Sequence, residues 1–99
     1  MRCAITYTPK DRPPPEEMPE LLQRMGEWLS EYGSRMSVIE FFVGGGGFGV
    51  IDIADSAELH RITAANPFTP FSEVEIRPVV QPQQAMQILQ EVFTQAAAR

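Results

Sequence analysis

Ser37-Val38-Ile39-Glu40-Phe41-Phe42-Val43, then Gly44-Gly45-Gly46-Gly47, then Phe48-Gly49-Val50-Ile51-Asp52-Ile53-Ala54 is the stretch that decides the fold. Both flanks are rich in β-branched and aromatic residues, which suit a pleated, half-buried surface. The glycines between them supply the backbone freedom of a tight connection, so the stretch reads as a hairpin. Strand alternation puts Ile39, Phe41 and Val43 on one face of the first strand, with Val38, Glu40 and Phe42 on the other. On the second strand Ile51 and Ile53 oppose Phe48, Val50 and Asp52.

Upstream, Met18, Leu21, Leu22, Met25, Leu29 and Tyr32 recur at helical spacing. They predict a helix from about Glu17 to Tyr32, ended by Gly33. Pro13, Pro14 and Pro15 hold the preceding loop stiff and extended. Before that loop, Cys3 to Tyr7 is β-rich. Downstream, Asp55 or Ser56 caps a short helix to about Ala65, stopped by Asn66-Pro67-Phe68-Thr69-Pro70. Phe71 to Val80 alternates as a fourth strand, with Val74 and Ile76 inward and Glu73, Glu75 and Arg77 outward. Pro82 opens a last helix carrying Ala85, Met86, Leu89, Val92, Phe93 and Ala96. The order is β-α-β-β-α-β plus a C-terminal helix, an α+β ferredoxin-like pattern with an antiparallel sheet and helices on one face. At 99 residues this is one domain, 1–99.

The uncovered sheet face should carry Val38, Phe42, Phe48 and Val50 beside Glu40, Asp52, Glu75 and Arg77. Such a mixed face suits an interface or a cleft. It leads to the expectation of a homodimer or larger homo-oligomer. The C-terminal helix is rich in Gln and Ala and nearly free of charge, which suits packing on a neighbouring subunit.

Composition excludes several classes. The formal charge is −5 and the eight Lys and Arg are scattered, so nucleic acid is not an expected partner. No apolar run approaches the ~20 residues of a membrane span, and the N-terminus has no secretory h-region. One cysteine, Cys3, and one histidine, His60, allow neither an intrachain disulfide nor a Cys/His zinc site. A cytoplasmic setting fits.

Gly44-Gly45-Gly46-Gly47-Phe48-Gly49 satisfies G-x-G-x-x-G, but a strand follows it rather than the helix that dinucleotide binding needs. Glu40 interrupts an apolar strand. A carboxyl among apolar neighbours can serve as acid or base. The plain alternative is an ion pair with Arg77 or Arg2. Asp52 falls on the same face and could share that work. His60 is the side chain best suited to carry protons near neutrality, although it can simply bond a loop. Tyr7 ends strand one, where its hydroxyl could hold a carbonyl oxygen. Trp28, Phe42, Phe48 and Phe71 are candidates to line a small-molecule pocket, with Arg77 as a cation.

From Gly44 to Val80 the sequence resembles the muconolactone isomerase family of dimeric α+β-barrel proteins. The residues concerned are Ile51-Asp52-Ile53, Glu58-Leu59-His60, Pro67, Pro70-Phe71, Val74-Glu75-Ile76 and Pro78. The resemblance covers a little over a third of the chain. It implies the ferredoxin-like fold, assembly into dimers or larger rings, and proton transfer without metal or organic cofactor. Glu40 and the glycine run stand where the isomerase carries basic and polar residues, which argues against the same lactone substrate. The expectation is an isomerase- or cyclase-like enzyme acting on a small carbonyl, lactone or polyketide-like molecule. The alternatives are a non-catalytic ligand-binding or accessory protein and a cofactor-free monooxygenase.

Overall fold

The computed structural model describes residues 1–98; Arg99, the last residue of the predicted domain, lies outside the described residues. The chain runs β1 (Arg2–Pro9), α1 (Met18–Tyr32), β2 (Met36–Phe41), β3 (Gly47–Asp52), α2 (Ser56–Ala65), β4 (Ser72–Pro78) and α3 (Pro82–Ala97). The strands form one antiparallel sheet in the order β2-β3-β1-β4. This is the ferredoxin-like α+β arrangement that the hairpin and its flanking helices predict.

Local chemistry accounts for the boundaries. Pro19 occupies the first turn of α1, where its missing N–H costs no helical hydrogen bond. Asp55, rather than Ser56, caps α2 by accepting from the Glu58 N–H at 2.9 Å. β2 is shorter than its composition suggests. Phe42 and Val43 belong to the turn, where the Phe42 N–H donates to Gly46 O at 2.9 Å. β4 starts at Ser72 because Thr69–Phe71 forms a 3-10 turn ahead of it.

The predicted faces hold in register. Cys3 pairs with Ile51, Ile5 with Gly49 and Ile76, and Tyr7 with Gly47 and Val74, all on the helix side. Cys3, Ile5, Ile51 and Ile53 pack there against Trp28, Tyr32 and Ile62. Three apolar residues expected inside are not buried. Phe41 and Ile76 point to the helix side but lie at its margins, and Val43 is in the turn, so all three are exposed. On the other face Glu40 lies opposite Phe48, and Val38 opposite Val50.

The last helix departs from a compact packing. Among the described residues α3 buries no side chain of its own. The radius of gyration is 17.4 Å and the long axis 64 Å, against about 13 Å for a compact chain of this length. No helix among the described residues is long and apolar enough to cross a membrane.

Candidate functional site

A cavity of about 780 Å³ lies between the helix side of the sheet and α1, open where β1 ends and β4 begins. Gly47 and Gly49 sit two apart on the helix side, opposite Tyr7 and Ile5, and the Phe41 ring and the Met36 thioether lean into the places where their side chains would stand. The surrounding strands and α1 contribute Ile39, Met36, Met25 and Trp28, so the lining is apolar. The Trp28 indole N–H is committed to Ile62 O at 3.0 Å. It offers the cavity an apolar ring rather than a donor.

One polar cluster reaches into this space. The Tyr7 hydroxyl lies 3.5 Å from Thr69 Oγ1, and the Asn66 side chain is near enough to favour its ionised form. Asn66 is 3% exposed and is fixed by accepting the Phe68 N–H through Oδ1 at 2.9 Å. Thr69 donates its own hydroxyl proton to Thr63 O at 2.5 Å. A hydroxyl carries one proton, so in this arrangement Tyr7 must be the donor toward Thr69. At 3.5 Å that bond is weak, and a ligand oxygen at ordinary distance would take its place. Burial pushes the Tyr7 hydroxyl above its ordinary value of 10.0, an effect partly offset by the neighbouring Thr69 and Asn66 side chains. Tyr7 is therefore a neutral donor across the physiological range.

The mouth carries charge that the sequence reading passed over. Lys10, Asp11 and Arg12 border the opening. Their loop is held there because the N–H groups of Lys10 and Asp11 both donate to Phe71 O, at 2.9 and 3.0 Å. The signal was available: the alternation that puts Tyr7 at the end of β1 also hangs the next charged residues over the same end.

Of the predicted site residues, Tyr7, Trp28, Phe42, Phe48 and Phe71 border the cavity. Phe42 and Phe48 pack together with ring centroids 5.6 Å apart. The predicted acids and bases lie elsewhere. Glu40 and Asp52 are exposed on the uncovered sheet face, where Asp52 pairs with Arg2 at 3.6 Å. Arg77 is on that face too, bonded to Glu75 at 2.7 Å. His60 is exposed on α2. Among the described residues no group of three or more His, Cys, Asp or Glu side chains could hold a metal ion.

Comparison with known proteins places this geometry. A family described as "Domain of unknown function (DUF3303)" matches residues 1–93. No curated protein matches the sequence. Among solved structures, the chain superimposes on muconolactone isomerase with a TM-score of 0.69 at 16% identity, over 82% of this chain and 90% of that one. It superimposes on 5-chloro-2-hydroxyhydroquinone dehydrochlorinase (TftG) from Burkholderia phenoliruptrix AC1100, in complex with 2,5-dihydroxybenzoquinone, with a TM-score of 0.67 at 15% identity. That match spans 85% of this chain and 98% of the dehydrochlorinase. At such identity the likeness is one of fold, the muconolactone isomerase-like α+β fold.

Proposed function

The chain belongs to the DUF3303 family, and we propose that it is an enzyme that moves a proton within a small cyclic carbonyl compound, of the quinone or lactone kind, held in the apolar cavity. One observation carries this reading: an apolar space of about 780 Å³ with Tyr7 and Asn66, backed by Thr69, at its wall. Ligand sites have this make-up, mostly apolar lining with a few placed polar groups. The fold neighbours act, by their names, on a hydroquinone and on muconolactone, which supports the substrate class.

In this reading the Tyr7 hydroxyl donates to the carbonyl oxygen. When a proton leaves the adjacent carbon, negative charge gathers on that oxygen. A donor already in place among apolar walls stabilises it more than water would. Asn66, donating to the Tyr7 oxygen, makes the phenol a stronger donor. Asp11 takes the proton at the mouth and returns it to another carbon, so no electrons leave the substrate. Lys10 and Arg12 hold an anionic substituent. Glu40, Asp52 and His60 have no part in this scheme.

Quenching of Trp28 fluorescence by 2,5-dihydroxybenzoquinone and by simple unsaturated lactones, followed by NMR of the bound compounds in D2O, tests it. We expect binding, and exchange of protons next to the carbonyl. Tyr7→Phe should weaken binding about fivefold, the value of one neutral hydrogen bond of about 1 kcal/mol. Unchanged affinity in that variant would remove Tyr7 from the site. Binding without proton exchange would favour a ligand-binding protein, a reading supported by the exposure of Asp11, the sole carboxylate among the described residues at the cavity.

A further inference from the structure

Asn66 holds a donor that the chain itself does not use up. It is the one buried polar residue among the described residues, 3% exposed. Pro67 follows it and disfavours helical backbone at Asn66. α2 therefore stops at Ala65, and Asn66 is extended at ψ 121°. Its backbone is engaged on both sides: the N–H donates to Thr63 O at 3.3 Å, and the carbonyl accepts the Thr69 N–H at 3.1 Å. The side-chain oxygen is engaged too, accepting the Phe68 N–H at 2.9 Å. Only an acceptor can meet that N–H, which fixes the end of the amide that is oxygen and the end that is nitrogen.

Nδ2 therefore points the other way, and it carries two protons. One faces the Tyr7 oxygen, since Asn66 favours the ionised form of that phenol, as only a donor does. The hydrogen bonds of the cluster join Tyr7 to Thr69, Thr69 to Thr63 O, and the Phe68 N–H to Asn66. They leave the other proton without an acceptor among the described residues. No side-chain nitrogen or oxygen among those residues is both sealed and without a partner, so Nδ2 opens into a space. Two spaces border Asn66: the large cavity, and a hollow of about 320 Å³ beside Glu17, Glu20 and Arg24. Tyr7 borders the large cavity and not the hollow. The nitrogen beside it belongs to the large cavity.

The wall thus presents polar hydrogens with little to accept one. Tyr7 brings an O–H and Asn66 an N–H, while the Asn66 oxygen is spent on Phe68. At the opening Lys10 and Arg12 outnumber Asp11. Hydrogen bonds to a charged oxygen are about twice as strong as those to a neutral one. Fixed donors among apolar walls therefore favour an oxyanion over a plain ketone or ester oxygen.

We propose that Asn66 Nδ2 and the Tyr7 hydroxyl grip one ligand oxygen together, and that the ligand is an acidic ring enol bound as its anion. In such a compound a hydroxyl is conjugated with the carbonyl, so the charge is shared between two oxygens. The inference rests on the reading of the cavity as the site of a ring carbonyl compound. It adds a second binding contact to that site and narrows the compounds it takes.

Asn66 is the only asparagine of the chain, so labelling with 15N-asparagine gives one side-chain amide pair in the NMR spectrum of the wild-type protein. The probes are 1,3-cyclohexanedione, which ionises as an enol, and 3-methoxycyclohex-2-enone, the same ring with the acidic proton replaced by methyl. Trp28 fluorescence reports binding of either. The dione should bind about tenfold tighter than the ether, and less tightly as the pH falls and it takes up its proton. One of the two Asn66 amide protons should move downfield as it binds. Asn66→Asp keeps an oxygen for the Phe68 N–H but removes the donor, and the preference for the dione should vanish in it. A Trp28 response with both amide protons unmoved would overturn the proposal and leave the cavity reading standing. Equal affinity of the wild type for dione and ether would do the same. No Trp28 response to the dione, the ether or the quinone would overturn both.

Discussion

Tyr7 owes its position to a two-residue period. Cys3, Ile5 and Tyr7 share the covered side of β1, and the third of them reaches the end of the sheet where Gly47 opposes it without a side chain. Its hydroxyl is then half-buried with Asn66 and Thr69 as neighbours. The sign of its pH effect follows. The folded chain holds the phenolic proton more tightly than the unfolded chain, whose value is 10.0. Any contribution of Tyr7 to stability is thus fully present below pH 10.0 and is lost as pH rises through the higher folded value. Thermal melts of the wild type and Tyr7→Phe should differ by a constant amount between pH 6 and 9, with the gap changing only in the alkaline range. A gap that changes between pH 6 and 9 would mean another group titrates with Tyr7. This residue, like Trp28 and Phe71, was legible from alternation and aromatic content. Lys10, Asp11 and Arg12 were not, because nothing in their types says which strand end they overhang. Glu40 drew attention as a charge in an apolar strand, yet strand parity alone places it on the open face.

The hairpin shows two different uses of glycine within one short element. Gly46 has φ +79°, and a Cβ there would collide with the Tyr7 carbonyl and come 2.9 Å from Pro9 Cδ. Gly49 has ordinary extended backbone, and a Cβ there meets the Met36 thioether at 2.9 Å, the far part of a flexible side chain. Gly46→Ala should therefore cost about 3 kcal/mol, from backbone strain plus displacement of β1, and lower the melting temperature by about 12–24 °C at 4–8 °C per kcal/mol. Gly49→Ala should cost under about 1.5 kcal/mol as Met36 shifts, but it narrows the cavity and weakens binding of a ring compound. Melting curves and Trp28 titrations of the two variants separate the roles. Equal melting temperatures would show that the turn tolerates a side chain. In the sequence the run reads as a hairpin and not as a phosphate loop, because a strand follows it. That the last glycines let Phe41 and Met36 close over the sheet emerges only from cross-strand register, which places Gly47 and Gly49 against Tyr7 and Ile5.

At the scale of the molecule, the chain buries little for its length, and α3 is the reason. The stripe of α3 was readable from period alone, but period says only that a face is apolar, not whose surface covers it. Burying the exposed parts of Met86, Leu89, Val92 and Phe93 is worth roughly 1 kcal/mol each. That sum is a large share of the 5–15 kcal/mol by which domains are usually stable. If the second chain supplies the cover, folding and association are one equilibrium, and apparent stability rises with protein concentration. The melting temperature of the wild type should then climb by several degrees over a hundredfold increase in concentration. Leu89→Gln/Phe93→Gln keeps good helix propensity at 89 but removes half the stripe. It should melt lower, lose the concentration dependence, and show a smaller far-ultraviolet helical signal as the unsupported helix frays. A wild-type melting temperature independent of concentration would mean that α3 adds nothing through a second chain, and the sheet, α1 and α2 would have to stand on their own core of Cys3, Ile5, Trp28, Ile51, Ile53 and Ile62.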